Sequence, residues 1–526
     1  MSIISLSFIL FLLAIVFLYF GLPKKCQWVV LLVSSCAFYL SFGPQYFLTI
    51  LFTSMSIFLS SNYMENLKKR QKDQIKKIDN PTREEKKTIK KLFAKKRKMA
   101  LCLTLVMNFG LLAFFKYTPF LSEQVNNISI LFSQGPILKV PEIIAPLGIS
   151  FYTFQSTGYL IDVYWEKYEA EKNPLKFFLF SSFFPQIIQG PINRYDLLNH
   201  QFHTPHSFDY KNFSFGCQRM LWGFFKKVLI ADRLSVYVSD VFDSFSEYSG
   251  LSVLFGAFLY SIQIYADFSG YMDIFCGFCE TLGIEMSENF ERPYFSKSIA
   301  EYWRRWHITL GSWFKDYLYY PIAFSKFSLN SSKSVKKLLG DHIGKNTPAV
   351  LALILVWFTT GLWHGANWAY IAWGGINGFF IIVSMLLEPL FEKSKVLFKI
   401  NENSKYWRAF QTIRTFGLVT LIKVFPEVGS FSDGCNFLKS ILINFKIPTS
   451  VYDVILPIHK TSDLPVICIG VAAMFAVSLI QRKISFREYF SKAPIIVRWA
   501  VYICAIVVLL VIGQSAGAGG FMYAQF

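Results

Sequence analysis

The feature that most restricts this chain is the recurrence, from one end to the other, of apolar runs long enough to cross a hydrocarbon core, roughly 20 residues each at helical rise. With 53% hydrophobic and 18% aromatic residues, the chain is too apolar to cover itself with polar surface as a soluble domain does. An all-α, polytopic membrane protein follows, with about 11 to 13 membrane segments, some short or re-entrant. The run from Ser2 to Phe20 lacks a basic leading region and a small-residue cleavage site, so it reads as a first, uncleaved span. The nine cysteines lie mostly inside apolar runs and give no paired framework, which implies reduced thiols.

The net charge of +19 is concentrated: Asn66 to Lys98 holds fifteen Lys or Arg against four acids. Few aromatic residues accompany them and the stretch lies between two spans, so nucleic acid is a poor partner for it. A solvated cytoplasmic loop obeying the positive-inside rule fits, with attraction of membrane lipids or coenzyme phosphates as a lesser reading. Counting back through the apolar runs puts the N-terminus outside. The organisation expected is N-terminal transmembrane helices over 1–62, a basic cytoplasmic loop over 63–99, and a catalytic core with C-terminal helices over 100–526. Between Pro174 and Arg194, Pro185 and Pro191 interrupt apolar sequence, which predicts a pocket-lining bend instead of a plain lipid-facing helix.

Two histidines stand out. From Ser298 to Pro321, Trp303, Trp306, Leu310, Trp313 and Tyr317 recur at spacings of three and four, the period of one helical face. His307 projects among these aromatics, where a satisfied core histidine is the commoner reading. His364 interrupts an apolar run within Gly361-Leu362-Trp363-His364-Gly365-Ala366-Asn367-Trp368. Helix from Ala349 to Thr360 spans only about 18 Å, so His364 is expected within the membrane's thickness, where an ionisable residue is functional by default. Helix locking by hydrogen bonds is the alternative. Gly361 and Gly365 allow a ligand or another backbone close approach. A neutral imidazole at that depth suits removal of a hydroxyl proton while the oxygen attacks a thioester carbonyl. His200, His203 and His206, and the lone Cys276/Cys279 pair, lack the further ligands of a metal or redox site, so no metal is expected.

Further motifs run along the chain: Ile149 to Gln155, Tyr159 to Tyr164, Phe184-Pro185-Gln186, Gly190-Pro191-Ile192, Phe225 to Val228 with Ala231-Asp232, and Tyr265-Ala266-Asp267-Phe268-Ser269-Gly270-Tyr271-Met272-Asp273. They continue through Glu288-Asn289-Phe290, Arg292-Pro293-Tyr294, Tyr302-Trp303-Arg304-Arg305-Trp306-His307, the Gly361 to Trp368 motif and an aromatic tail at Tyr523 and Phe526. Taken together and in order, these residues resemble the membrane-bound O-acyltransferases, in the branch associated with alginate O-acetylation. The resemblance implies a helical fold around a central tunnel, His364 as catalytic histidine and His307 as the second functional one. Trp303, Arg304, Asn289, Tyr271, Asp267, Trp363 and Asn367 are the expected substrate-binding residues. Two departures are evident: Asn377 stands where relatives often carry a histidine, and Pro426 replaces an arginine, so a charge contact there is expected to be missing.

The function so implied is acetyl transfer from cytoplasmic acetyl-CoA through the bacterial membrane, for O-acetylation of a cell-wall or exopolysaccharide acceptor. No extracytoplasmic domain is large enough to hold a polysaccharide, and the branch implies a secreted or membrane-tethered, hydrolase-like partner. D-alanyl transfer from a carrier protein and a transporter or flippase of glycan intermediates remain as alternatives.

Overall fold

The computed structural model describes residues 5–132, 135–446, 463–482 and 484–513. The first residues of the N-terminal run and the aromatic tail at Tyr523 and Phe526 lie outside them. The described chain is helical, and its one β-type pairing is an isolated antiparallel bridge between Phe290 and Trp306. Among the described residues five helices are long and apolar enough to cross a membrane: Pro44–Lys76, Arg83–Leu131, Gly250–Thr281, Asp341–His364 and Trp368–Leu386. Leu6–Gly21, Leu464–Ile480 and Ile495–Val511 are shorter apolar helices. The remaining apolar stretches among the described residues fold as shorter or broken helices.

The chain forms two compact units, residues 1–213 with 279–287, and residues 214–278 with 288–526. In the first, the stretch expected to be a basic loop is helical on both sides of a short turn at 77–82. Lys, Arg, Glu and Gln are good helix formers. The second helix is launched by a capping box, in which Thr82 accepts from the Glu85 N–H and Glu85 accepts from the Thr82 N–H. Helices of 33 and 49 residues measure about 50 and 73 Å and outrun a 30 Å core. Leu67, Ile89 and Phe93 cluster with Ile75 and Ile78 where the pair carries its basic residues. The expected boundaries near residues 62 and 99 therefore fall inside continuous helices.

The proline-broken stretch is a buried bend. Helix Pro174–Ser182 stops, a single turn forms at Phe184–Ile187, and the chain continues without helix to Arg194. The Phe180 carbonyl accepts from Gln155 Nε2 (3.0 Å) and Gln186 Nε2 (2.9 Å), and Asn193 donates to Gln186 Oε1 (3.0 Å). Side-chain amides thus replace the helix's own donors, the condition under which irregular backbone survives in apolar surroundings.

In the second unit Gly250–Thr281 is the central element: 72% of its most apolar window is buried inside the protein, against 39% or less for the other four long helices. Asp341–His364 and Trp368–Leu386 form a tight hairpin. A Cβ on Gly361 would lie 2.5 Å from the Tyr370 carbonyl oxygen, and one on Gly374 would lie 2.5 Å from that of Trp357. The close approach that Gly361 permits is therefore used by a neighbouring backbone. The first helix starts at Asp341 and carries Pro348 inside it, so its 24 residues measure about 36 Å and can span a core. The sequence reading placed its effective start at Ala349 and made it too short.

Candidate active site

His307 lies at a helix break, not on a continuous helical face. Helix Ile299–Arg305 ends, and Ile308–Phe314 begins with His307 as its N-cap in the left-handed region, φ 48° and ψ 51°. Non-glycine residues pay about 1–2 kcal/mol for that conformation. The segment after residue 287 holds it there: Asn289 O accepts from the Ile308 N–H (3.1 Å), and Asn289 Oδ1 accepts from Thr309 N–H (3.0 Å) and Thr309 Oγ1 (2.7 Å). Glu291 N–H donates to Arg305 O (2.9 Å), and Phe290 bridges Trp306. Asn289 Nδ2 in turn reaches Met272 Sδ at 3.2 Å, which ties this pairing to the central helix.

The turn buries His307 to 1% exposure, edge-on to Phe268 at 5.0 Å and to Trp363 at 5.9 Å between ring centroids. Burial pushes the His307 imidazole down to about 3, so it is neutral near pH 7. His364 ends its helix, 4% exposed, with Trp363 and Trp373 each 4.8 Å from its ring. Trp363 therefore touches both histidines.

Trp303 supports this arrangement. Its Nε1 donates to Asn377 Oδ1 (2.9 Å), Asn377 Nδ2 donates to the Trp373 carbonyl (2.9 Å), and its ring packs against Trp357 (5.0 Å) and Trp373 (5.4 Å). Asn377 is thus a clamp between helices.

Other expected residues have different settings. Asn367 caps the Trp368–Leu386 helix by accepting from the Ala369 N–H (3.0 Å), and its Nδ2 donates to Gly429 O (2.6 Å). Arg304 is exposed. Asp267, 1% exposed, is ion-paired with Lys227 (2.7 Å), which also meets Asp232 (2.8 Å). Tyr271 is fully buried against Phe275. The structure brings His307, His364, Trp363 and Trp303 together, with Asn289 behind the turn; Asp267 and Tyr271 sit in the packed interior of the central helix.

A cavity of about 590 Å³ opens within the same unit, walled by Trp222, Phe225, Met272, Phe290, Arg219 and Lys226 among others. Arg219 bridges Asp273 (3.0 Å) and Glu288 (2.6 Å), and Lys226 meets Asp273 (2.6 Å). Met272 and Phe290 form the far side of the His307 turn, so this space backs directly onto it. Sequence reasoning missed the Arg219 network and Lys423. The latter had a signal, a charge inside the apolar run Leu421 to Phe425.

Residues 170–410 match the membrane-bound O-acyltransferase family. The matched stretch is a little under half of the chain. It contains both histidines and all seven other expected site residues. The chain is 38% identical over 288 residues to the protein named "Probable alginate O-acetylase" of Azotobacter vinelandii, covering 55% of this chain and 54% of that one. It is 34% identical over 308 residues to the peptidoglycan O-acetyltransferase of Helicobacter pylori, with 54% of each covered. Over 281 residues it is 29% identical to the teichoic acid D-alanyltransferase of Bacillus subtilis, covering 53% of this chain and 67% of the other. The chain spans about half the length of the first two relatives.

Proposed function

We propose that this chain is a membrane-bound O-acetyltransferase that takes acetyl groups from cytoplasmic acetyl-CoA for O-acetylation of an extracytoplasmic polysaccharide. The observation that carries the reading is the pair of buried histidines joined through Trp363, inside the region matching the acyltransferase family. Relatives named for alginate and peptidoglycan acetylation support a glycan acceptor.

In the proposed reaction the His364 imidazole takes the proton of an acceptor hydroxyl as its oxygen attacks the thioester carbonyl. The new C–O bond forms, the C–S bond breaks, and the proton passes from the imidazole to the departing thiolate. His307, neutral and held by its turn, orients the acceptor or the acyl group. Trp303, Trp363 and Asn289 fix the two imidazoles, while Arg304 and Asn367 are proposed at the approaches; Asp267 and Tyr271 act by keeping the central helix in place.

A cytoplasmic thioester and an outer sugar hydroxyl are separated by about 30 Å of hydrocarbon. We assign the bridging path to a tunnel through the helical core of the bacterial cytoplasmic membrane, ending at a secreted or membrane-tethered partner that delivers acetyl to the glycan.

Purified protein in vesicles, supplied with radiolabelled acetyl-CoA, tests the reading. Label should move to an acceptor hydroxyl with wild-type protein and not with a well-inserted His364→Ala variant. The D-alanyltransferase relative makes carrier-dependent D-alanyl transfer the alternative, and transfer only from an aminoacylated carrier protein would establish it. Substrate flux without acyl chemistry would make the protein a transporter. Full glycan acetylation with no second protein present would remove the partner.

A further inference from the structure

Lys423 follows helix Lys405–Ile422 and is 6% exposed. Its Nζ lies 4.1 Å from the Trp306 ring centroid, 4.9 Å from that of Tyr294 and 5.4 Å from that of Tyr302. It donates a hydrogen bond to Tyr294 Oη (2.8 Å), and among the described residues no carboxylate is paired with it. Tyr294 Oη donates onward to the Ser261 carbonyl of the central helix. Ser261 Oγ donates to Thr420 Oγ1 (3.0 Å), one turn before Lys423. The amine is therefore surrounded by three ring faces and closes a hydrogen-bonded circuit through the helix that also carries Phe268.

That circuit ends where it matters. Trp306 shares a peptide bond with His307, whose left-handed conformation has to be imposed by its surroundings. Phe268 bears on the His307 ring from the central helix, and Ser261, two turns earlier on that helix, anchors the lysine's tyrosine. An ammonium over an indole face is attracted most strongly where water is excluded. Burial pushes the Lys423 amine well below its usual range, so the fold bears a desolvation cost there that an apolar residue of similar length would not incur.

We infer that Lys423 is a positioning residue: by seating its Nζ on Trp306 and on Tyr294, it fixes the Trp306–His307 turn in the geometry that acyl transfer needs. The inference rests on the acyltransferase reading for its functional consequence, although the mechanical part stands on the contacts alone.

Lys423→Met tests it, because methionine fills the aromatic cage with an unbranched apolar chain and favourable sulfur–ring contacts. The expected result is a fall in kcat of about tenfold or more with KM within about twofold, a thermal midpoint no lower than wild type, and faster hydrogen exchange confined to the amides of residues 305–309. Lys423→Arg, which keeps a cation over the ring, should restore part of the turnover. Wild-type kcat in Lys423→Met, or exchange at 305–309 unchanged in it, would overturn the inference. Exchange does not depend on turnover. A wild-type protein without acetyl transfer would therefore refute the proposed function while the exchange comparison still decides whether Lys423 holds the turn.

Discussion

Replacing Asn289 by alanine attacks the His307 turn from the side opposite Lys423. The carboxamide oxygen, 1% exposed as a residue, accepts both the Thr309 backbone N–H and the Thr309 hydroxyl. The hydroxyl can rotate to another acceptor, but the N–H cannot. Leaving a buried donor unsatisfied costs about 1–3 kcal/mol, and the hydroxyl bond adds about 1 kcal/mol. The strain the turn must overcome at His307 is about 1–2 kcal/mol. A loss of about 2–3 kcal/mol is therefore enough to release it, and if turnover follows the population of the intact turn, kcat falls about 30- to 150-fold. The assay is acetyl transfer in vesicles with kcat and KM determined separately, alongside the thermal midpoint in detergent. Thr309→Val removes only the hydroxyl and should cost far less. An Asn289→Ala protein whose kcat stays within about twofold of wild type would show that the pairing of 289 with 308–309 does not control the site.

Three further outcomes are expected. His307→Gln should lower transfer without moving any inflection of the pH–rate profile between pH 5 and 8, because burial pushes this imidazole down to about 3 and it does not titrate there; an inflection that disappears in the variant would assign the titration to His307. The same shift has a stability consequence: the folded state binds the proton less readily than the unfolded one, so His307 contributes stability that is full above its ordinary value of 6.5 and is lost as pH falls toward 3. Asn377→Leu should orphan the Trp303 indole N–H and cost about 1–3 kcal/mol, read as a lower thermal midpoint and reduced transfer; an unchanged midpoint would show that the clamp is dispensable. A cysteine probe at Lys86, on the exposed basic hairpin, should be unreactive to impermeant reagent in intact cells and reactive after permeabilisation, and labelling in intact cells would invert the proposed orientation.

The parts of this protein that were legible in its sequence are those where residue type alone forces a conformation. Prolines 185 and 191 required a break, and the amides that satisfy it, Gln155 and Gln186, were already visible as polar residues in apolar sequence. His364 beside two glycines announced a close approach, although the approaching group is the neighbouring helix. The break at His307 was not legible, because the three-and-four spacing of aromatics continues through it and both halves are helical. Only the long-range pairing with Asn289 distinguishes one helix from two, and spacing carries no record of that. The basic stretch was misread as a loop because charge was weighed above propensity; the pattern Thr82-x-x-Glu85 was the available sign of a helix start. At Asp341–His364, the helix was measured only from Ala349, but the chain is helical from Asp341 through Pro348.

The two histidines are positioned by different physics, and this bears on how the site tolerates change. His364 is fixed by a local device: a helix end, a three-residue turn capped by Asn367, and a hairpin whose glycines leave no room for rearrangement. Substitutions there act mainly by steric exclusion, so they damage the fold before they tune the chemistry. His307 is fixed by convergence of segments distant in sequence: Asn289 from one side, Lys423 and Tyr294 from the other, Phe268 and Trp363 across its faces. Each of those contacts can be weakened without breaking a helix, which makes the His307 turn the adjustable half of the pair. Trp363 connects the halves, since it is rigidly carried beside His364 and yet meets the His307 ring. A change that loosens the turn therefore leaves the proposed base in place while misaligning its neighbour, and its signature should be lost turnover in a protein that is still folded.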